Sequence, residues 1–157
     1  MDNEILFWYF VLLFGFSVLI GLVNLARTSK VKKLAKGAIE ITPQEFLKLR
    51  KQTKGNRNHK GAMTKNNFEG IYILYNQTKN MYYVGQAKKV LDRVNNHFTG
   101  KGNGDVYADY KYGDSFTIKM IPLKGSGFST LNSLEKNAIA SYNSHAKGYN
   151  KTRGNKG

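Results

Sequence analysis

The acidic residue best placed to do chemistry stands inside an apolar stripe. Leu131, Leu134, Ala138, Ile139, Tyr142 and Ala146 recur at helical spacing, and Glu135 falls near the middle of the face they define. A carboxylate turned inward costs several kcal/mol of desolvation unless a cation compensates it. An arginine in a structural ion pair would serve. So would a divalent ion such as Mg²⁺, which keeps much of its water, accepts one protein carboxylate and completes its shell with substrate phosphate. Upstream, Arg93 and His97 lie four residues apart and share a helical face, about 100° round from the centre of an apolar stripe at 87, 90, 91, 94 and 98. Arg offers a planar fork to phosphate oxygens, and His a donor whose charge depends on its surroundings.

Two tyrosines complete the set. "GIYILYNQTKNMYYVG", residues 70–85, reads as two short strands around a polar turn. If the hairpin turns through two or four residues about Thr78 and Lys79, Tyr72 faces Gly85 and Leu74 faces Tyr83. Side chains alternate with period two, so Tyr72 and Tyr83 then lie on one face as diagonal neighbours within reach of one ligand. Gly85 opposite Tyr72 leaves open space over the phenol. Asn150, in "KGYNKTRGN", stands just beyond the last helix.

The elements that must position these residues follow from punctuation and period. Strands are expected at about 70–76 and 81–85, a helix from about Ala87 to Phe98, a third strand over 115–123, and a helix capped by Ser129 or Thr130 that runs to about Ala146 before Gly148. Between them, "TGKGNGDVYADYKYGD" reads as a flexible turn. Its Gly100, Gly102 and Gly104 do not have the spacing of a phosphate loop that opens a helix. Nearer the start, Thr42, Pro43 and Glu45 form a helix start with a capping box, which places a short helix near 43–53. The polar stretch 54–67 reads as a loop.

Together, Gly70-Ile71-Tyr72, Tyr83-Val84-Gly85, Arg93, His97, Glu135 and Asn150 resemble the GIY-YIG endonuclease family in order and spacing, over about residues 68–152. The second element reads YVG where the family name has YIG. The resemblance implies an α+β fold, a small sheet of three antiparallel strands flanked by helices. It also implies a metal-dependent phosphodiester hydrolase that leaves a 5′-phosphate and a 3′-hydroxyl. On this reading Glu135 holds Mg²⁺ or Mn²⁺, and Tyr72 is the general base on the attacking water. Tyr83, Arg93 and His97 orient the phosphate, and Asn150 holds the geometry. Gly70 and Gly85 are motif positions. A phenol near pKa 10 is a poor base at neutral pH, so Tyr72 needs its pKa lowered by its surroundings. No small-molecule cofactor is expected.

The remaining sequence places this domain. Ile5 to Ala26 is 22 residues without a charge, long enough to cross a bilayer as a helix. Asp2 and Glu4 precede it and Arg27 follows, which is unlike a cleaved signal peptide. Arg27, Lys30, Lys32, Lys33 and Lys36 crowd the far side, an excess that normally stays cytoplasmic and that offers a contact for anionic lipid. The expected organisation is a transmembrane helix at 5–26 with its N-terminus outside, a basic tether over 27–67, and a cytoplasmic nuclease-like domain over 68–157. The formal charge is +15. All 25 basic residues but only eight of the ten acids lie beyond residue 26, so that part carries +17. Such a charge points to nucleic acid, with DNA the expected partner. Lys60, Lys88, Lys89, Lys101, Lys151 and Arg153, three of them in the basic loops 54–65 and 147–156, are expected to grip its backbone with little sequence preference. The absence of cysteine excludes disulfides and thiolate zinc sites. Two other readings remain open: an inactive relative that tethers nucleic acid to the membrane by charge, and an envelope protein whose basic domain lies outside and contacts anionic polymers.

Overall fold

The structure, a computed structural model, describes residues 3–52 and 65–154. Lys60 and most of the basic loop 54–65 lie outside the described residues, as does the end of 147–156. The chain opens with helix α1 (Asn3–Gly37), which is long and apolar enough to cross a membrane, and none of its most apolar stretch is buried in the protein. Sequence alone does not decide whether the basic residues after Ala26 continue this helix. They do, as far as Gly37.

β1 (Glu40–Ile41) follows, then α2 (Pro43–Gln52). The capping box forms as expected. The Glu45 carboxylate accepts from the Thr42 backbone N–H at 2.8 Å, and the Thr42 hydroxyl accepts from the Glu45 N–H at 3.2 Å. Next come β2 (Gly70–Asn76), β3 (Met81–Ala87), α3 (Val90–Phe98), α4 (Gly104–Lys111), β4 (Phe116–Pro122) and α5 (Leu131–Ser141).

The sheet has four antiparallel strands in the order β1-β4-β2-β3, not the expected three. The extra strand is only two residues long, and its pairing of Glu40 with Lys119 and Ile41 with Ile118 is a tertiary event with no local signal. The turn expected near 100–112 contains α4. The Asn103 side chain accepts from the Val106 N–H at 3.0 Å and caps that helix, a cue masked by the neighbouring glycines. α5 starts where Thr130 caps it but ends at Ser141, short of Gly148. Gly148 serves close packing instead, since a Cβ there would run into the Tyr82 and Ser144 carbonyl oxygens.

A core lies on each sheet face. On one, Tyr72, Leu74 and Ile118 meet Val90 and Val94 of α3, Val106 of α4 and Phe46 of α2. On the other, Ile71, Ile73 and Val84 meet Leu134 and Ala138 of α5 and, from α1, Val31 and Ala35. Segments upstream of Phe68 therefore contribute fully buried side chains to both. Burying a valine stabilises by about 1.5–3 kcal/mol, so the last turns of α1 are structural and not a loose tether.

Candidate active site

β3 is the edge strand next to β2, and its register is the expected one. Tyr72 pairs with Gly85, and Leu74 with Tyr83, across a four-residue connection. Tyr72 and Tyr83 thus share a face, with ring centroids 6.1 Å apart. A Cβ at Gly85 would fall on the Tyr72 ring and hydroxyl, so glycine is required for close approach. Gly70 is required likewise, because a Cβ there would meet the Ile121 carbonyl across β4.

α3 supplies Arg93 and His97. Its start is fixed by Asn67, whose side-chain oxygen accepts from the Leu91 N–H at 2.9 Å. His97 does not sit at the rim of a cleft, as its place on the helical face suggests. It is fully buried behind Tyr72, its Nε2 2.9 Å from the phenol oxygen. Its Nδ1 accepts the Asn103 backbone N–H at 2.9 Å. With Nδ1 accepting, the neutral ring carries its proton on Nε2 and donates to Tyr72. Burial, with help from Arg93, lowers the His97 pKa to about 4 and keeps the ring neutral near pH 7. A Cβ at Gly102 would strike the His97 ring, so the turn after α3 is built around the imidazole.

Burial is also the main reason that the Tyr72 pKa lies well above that of an ordinary phenol. Tyr83 adds to the rise, while the Arg93 guanidinium, which interacts with both phenols, opposes it. The resting Tyr72 therefore holds its proton.

Glu135 arrives from α5, on the opposite face of the sheet, and is 7% exposed. It lines the same cleft of about 330 Å³ as Tyr72, Tyr83, Arg93 and Asn150. Because β3 is an edge strand, a cleft at its rim collects side chains from both faces. Asn150 closes it. Its side chain accepts from the Val84 N–H at 2.9 Å and donates to the Val84 carbonyl at 2.7 Å, continuing a ladder begun by the Tyr149 N–H to the Tyr82 carbonyl. The terminal segment thus extends the sheet edge, and Gly154 passes close to the Glu135 carboxylate.

Among the described residues no three acids, histidines or cysteines cluster as metal ligands. The cleft offers one carboxylate amid phenols, and both nitrogens of the nearby His97 are engaged. That donor set suits a hard ion that retains its water, not a tetrahedral site of nitrogen and sulfur ligands.

Of the expected backbone-gripping residues, Lys151 lines the cleft, and it also lies 3.5 Å from Asp105. Lys88, Lys89, Lys101 and Arg153 are exposed and do not line it. Gln86, at the cleft wall, was missed by sequence reasoning. Its amide donates to the Asn132 side-chain oxygen at 2.7 Å, while its own oxygen is buried without a hydrogen-bond partner. Its place directly after Gly85 was the available signal. Residues 68–150 match the family model described as the GIY-YIG catalytic domain. No curated protein and no solved structure matches the chain.

Proposed function

Because this chain belongs to the GIY-YIG catalytic domain family, matched over more than half its length, we propose that it is a membrane-anchored, divalent-metal-dependent endonuclease. It hydrolyses DNA phosphodiester bonds with low sequence specificity, and its place at the membrane suggests DNA crossing the bilayer. The observation that carries this reading is convergence: Tyr72, Tyr83, Arg93, Glu135 and Asn150 come from separate parts of the chain and line one cleft.

Glu135 would hold Mg²⁺ or Mn²⁺, which when bound supplies Lewis-acid stabilisation of the leaving 3′ oxygen. The protein's own groups do the positioning. Arg93 offers its fork to the non-bridging oxygens, and Tyr83 adds a hydroxyl donor beside it. Tyr72 is the group assigned to accept the proton of the attacking water. Burial opposes that role, but two donors favour the phenolate, the Nε2–H of His97 at 2.9 Å and the guanidinium of Arg93. His97 stays neutral and is a poor proton acceptor here, because its lone pair is taken by the Asn103 N–H. Asn150 fixes the edge strand that carries Tyr83 and Gly85.

Residues 5–26 are assigned to the bilayer. The excess of Lys and Arg from Arg27 to Lys36 supports an orientation with the N-terminus outside and the catalytic domain in the cytoplasm. Lys88, Lys89, Lys101 and Arg153 supply salt-dependent affinity for the DNA backbone.

The test is supercoiled plasmid incubated with the purified full chain in neutral detergent. Nicking with Mg²⁺ that stops in chelator supports the reading. Gel-shift binding without nicking under Mg²⁺ or Mn²⁺ would establish the inactive tether instead.

A further inference from the structure

A second hollow lies away from the catalytic cleft, between the membrane-proximal turns of α1 and the loop 122–128. It has a volume of about 680 Å³ and shares no lining residue with the cleft. Lys30, Lys33 and Lys124 line it, and Leu34, Ala38, Ile121 and Pro122 give it an apolar floor. Among the described residues no acid lines it. Glu69 borders the adjoining hollow on the far side of the same loop.

The hollow is built by mutual fit. The Lys30 ammonium donates to the Gly127 carbonyl at 2.9 Å and lies 5.3 Å from the centre of the Phe128 ring. Gly125 and Gly127 have φ of +81° and +71°, in the left-handed region that favours glycine, and a Cβ at Gly127 would meet the Lys30 ammonium. Helix and loop therefore fix Lys30 at the concavity, and Lys33 and Lys124 also line it.

Its height is set by α1. Lys30 and Lys33 lie four and seven residues past Ala26, which is about 6 and 10 Å along the helix. A headgroup layer is roughly 5–7 Å thick on each side of the hydrocarbon. Lys30 is thus at headgroup depth, and Lys33 stands just above it with a stem long enough to reach down.

From this placement we infer that the hollow binds the headgroup of an anionic phospholipid, its phosphate among the lysines and its acyl chains turned back into the bilayer. The inference rests on the reading of residues 5–26 as a membrane span and not on catalysis. DNA is the weaker occupant, because at headgroup depth anionic lipid is present at a far higher local concentration.

The probe is dioctanoyl phosphatidylglycerol, titrated into the full chain in neutral detergent, with Tm and lipid stoichiometry by native mass spectrometry as readouts. The expected result is a rise in Tm of several degrees with one lipid retained per chain. Dioctanoyl phosphatidylcholine and inorganic phosphate should leave Tm unchanged. Lys33→Gln with Lys124→Gln should abolish the shift while keeping the basal Tm and plasmid nicking. If the double variant folds poorly, Lys124→Gln alone, on an exposed loop, should weaken the shift several-fold. An equal response to phosphatidylcholine, to phosphate alone or in the double variant would overturn the assignment, as would displacement of the lipid by a short DNA duplex. Release of the chain from vesicles by alkaline extraction would remove its premise. Nicking is not needed for the shift, so a chain that cuts nothing yet shows it would leave the lipid site standing.

Discussion

His97 shows how one side chain can be identified from sequence yet misplaced. Its spacing from Arg93 gives the shared helix face, but no local signal shows that Asn103 and Gly102 fold back over the ring and bury it. The consequence is measurable. The folded chain resists protonating His97 until about pH 4, whereas an unfolded histidine titrates near 6.5. The unfolded state therefore binds the extra proton between those values, and stability falls as pH drops through that window, by roughly 3 kcal/mol. Denaturant midpoints measured from pH 7 to pH 4 should show this decline, and His97→Asn should flatten it. Glu45 and Asp109, whose pKa values are lowered, lose their contribution only below about pH 4.5. The pH–rate profile should accordingly show no limb near pH 6.5 from His97. Gly85 was legible because strand pairing alone brings Tyr72 over it. Gly85→Ala should cost about 1–3 kcal/mol through overpacking against the phenol and should depress nicking further by displacing Tyr72, as thermal melts and plasmid assays on the same sample would show.

Among the elements, the register of the β2–β3 hairpin was readable for a turn of even length, because a period of two leaves few registers open, although β3 runs to Ala87, past its expected end at 85. β1 and α4 were not. The first is two residues held by β4, and the second hides its Asn103 cap among glycines that usually mark turns. The edge of β3 depends on a side chain: Asn150 satisfies both backbone groups of Val84. Asn150→Ala would leave them unpartnered at a partly buried edge, at a cost of about 1–3 kcal/mol. Hydrogen exchange at the Val84 amide should accelerate more than at β2 amides, and uniform exchange across the sheet would contradict the pinning role.

Across the whole molecule, the apolar start and basic continuation of α1 were plain from composition, but its docking was not. Val31 and Ala35 pack on the α5 side of the sheet, and the Ser141 hydroxyl donates to the Thr28 carbonyl at 3.0 Å. The helix that leaves the apolar span thus becomes part of the core beside α5, which carries Glu135, and the apolar span and the docked turns are one continuous helix. A fragment of residues 27–157 should therefore have a higher denaturant midpoint than one of residues 38–157, with an unfolding free energy greater by at least about 1.5 kcal/mol, the lower figure for a buried valine. Equal midpoints would show that the α1 turns are dispensable.

The most direct test of the central claim, that one cleft at the rim of β3 cuts the phosphodiester bond, is the single-turnover nicking rate of Glu135→Ala against the parent chain, with Mg²⁺ and matched Tm. Loss of a group that supplies several kcal/mol at the transition state predicts a fall of about 100-fold or more with DNA binding retained. A variant that nicks supercoiled plasmid as fast as the parent would contradict the account.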